Sequence, residues 1–160
     1  MLTSTDLQNF INTHQINATI LPMVEHTPTV PDAARVLGVA PEQIIKSLVF
    51  VVKGEPLLVI SNGLTRVERR KIAAHLGVGR KQIKFANAEQ VLEITGFVVG
   101  SMPPFGHRQP LPTYIDPVVM EFEIIYGGGG DIDAMLRLTS VELLRVTQAV
   151  IADVSEGADV

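Results

Sequence analysis

Two short stretches of the chain hold residue types that can do chemistry. The first is "QIIKSLVFVV", in which Lys46 is a single cation at the mouth of an apolar, β-branched run. A lysine there either snorkels its ammonium to water or acts as a fixed point charge that binds a phosphate or polarises a carbonyl oxygen. The second is "GSMPPFGH", residues 100–107, with two prolines set between two glycines and a histidine at the end. Proline interrupts helix interiors and central strands, while glycine reaches backbone conformations closed to other residues. The stretch is therefore a stiff loop following the apolar "FVV". It either presents backbone N–H groups to a ligand or is only a turn. His107 has two readings as well, a ligand contact or a donor to a nearby carbonyl. His26, in "EHTPTV", is either a binding residue or a solvated one.

Other chemistries are excluded by residue type or spacing. Cysteine is absent, and the four histidines show neither HxH nor HExxH spacing, so no metal site is expected. GxGxxG and GxSxG are missing, and "YGGGGD" lacks the Lys-Ser/Thr of a phosphate loop. A mobile hairpin turn is the expectation for that glycine run. The close acidic pairs Asp131/Asp133 and Glu121/Glu123 read as solvated faces.

The chain has 160 residues, 46% hydrophobic and 19% charged, which suits one folded domain over 1–160. No run approaches the ~18 apolar residues of a membrane span, and "MLTSTDLQNF" lacks the regions of a signal peptide. A cytoplasmic protein without membrane partners is expected. The net charge of −4 argues against a protein that coats nucleic acid, and DNA is not expected as a partner. Yet Arg66, Arg69, Arg70, Lys71, Arg80, Lys81 and Lys84 supply seven of the thirteen basic residues within nineteen positions, beside one acid, Glu68. This cluster is either a solvated helix face or a local phosphate-contacting patch.

The elements that must position these residues follow from periodicity and caps. "STDLQNFINTHQI" predicts a helix capped by Ser4 or Thr5, and "TVPDAARVLGV" one capped by Thr29 and ended by Gly38. The runs around "KGEP" predict a hairpin. Thr65 and Glu68 have capping-box spacing before a helix ending near Gly77. "NAEQVLEITG" predicts a capped helix, and Thr139 with Glu142 predicts another over "VELLRV". "ATILPMV", "QIKFA", "FVVGS", "PTYID" and "AVIADV" read as strands, "VVMEFEIIYGGGGDIDAMLRL" as two strands around a glycine turn, and "SEGADV" as a loose tail. Strands and helices mix without strict βαβ alternation, which favours an α+β fold with a mixed or antiparallel sheet.

Taken in order, "HTPTVPDAARVLGVAPEQIIKSLVF", "LLVISNGLTRVERRKIAAHLGV", "TGFVVGSMPPFGH" and "LPTYIDPVV" resemble the YbaK family, from about residue 20 to about residue 150. These are free-standing aminoacyl-tRNA deacylases related to the editing (insertion) domain of bacterial prolyl-tRNA synthetases. The resemblance implies a compact α+β domain on a curved, mostly antiparallel sheet or partly open barrel surrounded by helices. It implies trans-editing hydrolysis of a mischarged tRNA carrying a small amino acid: alanine, cysteine, serine or threonine. Lys46 would position the tRNA 3′ end and the ester, and residues 100–104 would be the family's GxxxP loop, with Gly100, Ser101 and Pro104 at the reacting carbonyl. His26, Thr27, Met102, Gly106, His107 and Gly128 would border the substrate, and Gly96 matches the family's strand entry. The tRNA contacts would come from Arg66, Arg69, Arg70, Lys71 and Lys81. Many relatives have Ser-Pro where this chain has Pro103-Pro104, a departure that bears on substrate preference. No cofactor is implied, since the ester is already activated and the terminal ribose hydroxyl helps activate water. The implied partners are the tRNA 3′ acceptor end and an aminoacyl-tRNA synthetase. Two other readings are a non-catalytic module that binds tRNA, a synthetase or a small ligand on the same fold, and a hydrolase of another ester or amide.

Overall fold

A computed structural model describes residues 1–24, 27 and 29–156. Helix α1 (Ser4–Thr13) buries Leu7 and Ile11, one turn apart on a single face. Its cap is Thr3, not Ser4 or Thr5: the Thr3 N–H donates to the Asp6 carboxylate at 2.8 Å. Strand β1 (Ala18–Pro22) follows, then helix α2 (Val30–Leu37), where the Thr29 hydroxyl accepts from the Asp32 N–H and left-handed Gly38 ends the helix. Strands β2 (Ile45–Val52) and β3 (Glu55–Asn62) form the expected hairpin around Lys53 and Gly54, both at positive φ as a tight two-residue turn requires.

Helix α3 (Arg69–Leu76) starts without the expected capping box. Glu68 is its N-cap and makes no side-chain cap, because the Thr65 hydroxyl is already held by Asn62 and Ser61. Strand β4 (Ile83–Phe85) and helix α4 (Ala88–Thr95) follow, the helix capped by Asn87 and closed by Gly96 at φ +86°. Residues 97–101 do not form a strand. The Ser101 N–H and hydroxyl both turn back onto the Val98 carbonyl, and no other strand pairs with them. Strand β5 (Thr113–Ile115) leads into a 3₁₀ turn (Pro117–Glu121) where a strand was expected. Strands β6 (Ile124–Gly128) and β7 (Ala134–Thr139), helix α5 (Ser140–Thr147) and the short strand β8 (Val150–Ile151) complete the order. Ser155 is not loose: it bridges to Val67, and the Glu156 N–H donates to the Arg66 carbonyl. The remainder of that predicted tail, 157–160, lies outside the described residues.

The fold is α+β, with five α-helices and two sheets among the described residues. One sheet has the order β1-β7-β6 and is antiparallel throughout. The other has the order β4-β2-β3-β5-β8, with β3, β5 and β8 parallel and the remaining pairs antiparallel. A parallel bridge from Ile44 to Tyr126 joins the sheets, and the arrangement is not closed into a barrel. Strand alternation divides β2 between two cores. Ile45 and Val49 pack with Leu7, Leu58, Ile60, Phe97, Phe105 and Leu136. Phe50 packs on the other side with Leu57, Val59, Ile72 and Ile83. Each fully buried side chain of this size contributes roughly 1.5–3 kcal/mol, which fixes β2 firmly from both faces.

Candidate active site

Alternation along β2 sends Lys46 and Ser47 to opposite faces. Lys46 is paired across the hairpin with Ser61, and its ammonium donates to the Thr65 carbonyl. That acceptor is held by a chain of side chains. Asn62 accepts from the Thr65 N–H at 2.9 Å, and Ser61 bonds both the Thr65 hydroxyl at 2.9 Å and the Ser155 hydroxyl at 2.7 Å. Ser155 is anchored in turn by buried Asp116, whose carboxylate accepts the Val154 and Ser155 N–H groups at 3.0 Å each. Burial, and secondarily the Arg66 charge, pulls the Lys46 pKa below its ordinary value. An ammonium has three donors, and the described residues use one of them. Lys46 lines a cleft of about 290 Å³ together with Leu48, Phe50, Arg66, Val67, Arg69 and Phe85.

Ser47 opens instead into an apolar pocket of about 230 Å³. Val49, Ala86, Val91 and Val99 form its walls, Gly100 and Met102 its loop side, and Ser47 is the one polar side chain in its lining. The two cavities share Leu48 and Phe85, which form the rim between them. The glycine–proline loop is fixed at several points. The Ser101 carbonyl accepts from the Gly130 N–H at 2.8 Å, and His107 donates from Nε2 to the Pro103 carbonyl at 2.8 Å. Gly100 sits at φ +94° with open space where a side chain would begin. The N–H groups of Gly100 and Met102 meet no acceptor among the described residues, and both residues line the pocket.

The glycine run lies in the β6–β7 hairpin, as expected, and packs closely against this loop. A Cβ on Gly128 would stand 2.2 Å from the Met102 carbonyl oxygen, and one on Gly129 2.6 Å from the Ala134 backbone. Only bare backbone fits, and the hairpin between β6 and β7 lies directly against the loop.

Of the residues picked from sequence, Gly100 and Met102 meet at the apolar pocket, while Lys46, Arg66 and Arg69 meet in the adjacent cleft. Arg66, Arg69 and Arg70 continue with Arg80 around an open basin of about 530 Å³. Lys71 turns away to Asp153, at 3.0 Å, and to the Ser155 carbonyl, and Lys81 is exposed outside that basin. Buried Ser101 is loop framework. Pro104, Gly106 and His107 line a separate cleft of about 140 Å³ with Phe10. His107, half-buried and edge-on to Phe97, has its pKa lowered by burial, with the Pro103 hydrogen bond acting in the opposite direction. Thr27 lines neither the pocket nor the Lys46 cleft, and His26 lies outside the described residues. Ser47 and Phe85 join the clefts without having been selected from sequence, whereas Arg80 belonged to the basic cluster already singled out there. The signal for Ser47 was its place next to Lys46 in an alternating strand.

Residues 24–146 match the model of the aminoacyl-tRNA editing domain. The multifunctional Ser/Thr-tRNA deacylase ProXp-y of Escherichia coli is 31% identical over 120 residues, 72% of this chain and 71% of that protein. The proline–tRNA ligase of Bacillus licheniformis is 34% identical over 94 residues, 57% of this chain but 16% of the ligase. A crystal structure provisionally identified as a trans-editing enzyme for prolyl-tRNA synthetase superposes with a TM-score of 0.90 at 33% identity, covering 96% of this chain and 97% of that one.

Proposed function

The chain belongs to the aminoacyl-tRNA editing domain family, and from that membership we propose that it hydrolyses the ester of a mischarged tRNA carrying a small amino acid: alanine, cysteine, serine or threonine. The observation that carries this reading is the junction of a small apolar pocket and a cationic cleft across the Leu48–Phe85 rim. An aminoacyl-tRNA end has matching parts in the same order: an amino-acid side chain, an ester on ribose, and phosphates.

The amino acid enters the 230 Å³ pocket beside Ser47. The ester carbonyl lies at the mouth, within reach of the Gly100 and Met102 N–H groups, which stabilise the oxyanion that forms when water attacks. The bond from the carbonyl carbon to the ribose oxygen breaks, that oxygen takes a proton, and the products are the free amino acid and the uncharged tRNA. Lys46 and Arg66 hold the terminal phosphates, with Arg69, Arg70 and Arg80 extending the track for the acceptor end. The substrate's ribose hydroxyl assists the attacking water, so the protein contributes position and charge in place of a nucleophile. On this reading the protein works in the cytoplasm, in support of translation fidelity.

A pocket that sorts mainly by size discriminates by ~1–3 kcal/mol per methylene, so several small residues are accepted. The test is a panel of tRNAs charged with alanine, cysteine, serine, threonine, proline and leucine, with hydrolysis and binding measured in parallel. Rapid loss of the small amino acids supports the reading. Binding without hydrolysis across the panel contradicts it.

A further inference from the structure

Phe85 sits where an apolar side chain gains little from burial. Strand β4 is an edge of its sheet, with β2 as its one partner, and Phe85 is 53% exposed. Every other Phe and Tyr of the chain is buried or half-buried. The ring is nonetheless held in place. Phe85 lies directly across from Phe50 in the β2–β4 register, and the two rings meet edge to face at 5.1 Å and 72°. A fixed, half-open aromatic ring is what a nucleic-acid base stacks on, at little cost in side-chain entropy.

Its position is as informative as its exposure. Phe85 lines both the apolar pocket and the cleft of Lys46, Arg66 and Arg69. In an aminoacyl-tRNA the terminal base hangs from the ribose that joins the ester to the last phosphate. With the amino acid on one side of the rim and the phosphate on the other, the base is left over the rim itself. We infer that Phe85 is the stacking platform for the terminal adenine of the tRNA. This inference rests on the deacylase reading for the identity of its ligand. Stacking is tolerant of base identity, so the platform adds affinity and orients the ribose without reading sequence.

The alternative role is a lid over Phe50, which a leucine would also fill. The experiment compares binding of adenosine 5′-monophosphate and ribose 5-phosphate to the wild type, Phe85→Leu and Phe85→Trp, with deacylation of tRNAs charged with alanine, cysteine, serine and threonine run beside it. The wild type is expected to prefer the nucleotide by about ten- to a hundredfold, the usual worth of one stacked base. Phe85→Leu is expected to bring that ratio close to one and Phe85→Trp to preserve it. Equal ratios in the wild type and Phe85→Leu overturn the platform, whatever the deacylation rates. A Phe85-dependent nucleotide preference in a wild type that leaves alanyl-, cysteinyl-, seryl- and threonyl-tRNA all intact overturns the deacylase reading and upholds the platform.

Discussion

His107 closes the glycine–proline loop by donating from Nε2 to the carbonyl of Pro103, four residues back, at 2.8 Å. The bond needs a proton on Nε2, which the neutral ring can supply. Burial keeps the ring's pKa below its ordinary value of 6.5, so the unfolded chain takes up the proton first as pH falls. Stability from this site is complete above about pH 6.5 and is lost as pH falls through the lower folded value. None of the other residues lining its cleft titrates. Denaturant midpoints of the wild type are therefore expected to decline below about pH 6.5, and His107→Phe is expected to flatten that decline. An unchanged slope in His107→Phe would assign the effect to other groups.

Gly128 and Gly100 constrain the loop in different ways, and their substitutions separate accordingly. Gly128→Ala forces a Cβ against the Met102 carbonyl, where backbone must yield. It is expected to cost ~1–3 kcal/mol of stability and to displace the loop, lowering deacylation as well. Gly100→Ala meets open space but is strained at φ +94°, by ~1–3 kcal/mol. Its expected effect is on kcat more than on Tm, because the strain falls on the N–H groups at the pocket mouth. Thermal melts and single-turnover rates on both variants check this. Wild-type rates in both would reduce the loop to a turn.

Lys46→Ala removes the ammonium held at the Thr65 carbonyl. On the proposed reading Lys46 positions the ester through the terminal phosphate, and misplacing a reacting group typically costs ~10²-fold in rate; the variant is expected to fold normally because Lys46 lies at the sheet's margin. Lys46→Arg is expected to fail as well, since a planar fork does not reproduce a compact ammonium. Circular dichroism and deacylation rates measured together test both statements.

The arginine basin predicts salt-dependent binding. Reversing Arg69, Arg70 and Arg80 to glutamate is expected to raise KM for tRNA and to flatten its dependence on salt, by a slope of roughly 0.7 for each phosphate the variant no longer neutralises. A minimal aminoacyl-adenosine, too short to reach the basin, is expected to be affected far less. Equal losses on both substrates would make the arginines part of the fold.

Local signals were legible in the sequence wherever one short segment decides the structure. The caps at Thr29, Asn87 and Thr139 each depend on a residue three positions away. The apolar run at 97–99 misled, because it is bounded by left-handed Gly96 and Gly100 and has no strand beside it. Thr65 misled because Asn62 captures its hydroxyl. Lys46 and the 100–104 loop stood out as motifs. Their division between two faces of β2, and the meeting of Ser47, Phe85 and Gly100, depend on strand alternation and on the pairing of Phe50 with Phe85, which no short segment encodes.

The central claim is that a small aminoacyl ester spans the Leu48–Phe85 rim and is cut there. Single-turnover deacylation tests it most directly, with one tRNA charged in turn with serine and with leucine, using wild type and Lys46→Ala. Fast loss of serine by the wild type is expected, with slow loss of leucine, and serine loss in a folded Lys46→Ala protein is expected to fall ~10²-fold. Serine and leucine released at equal rates, or a folded Lys46→Ala variant as fast as the wild type, would contradict it.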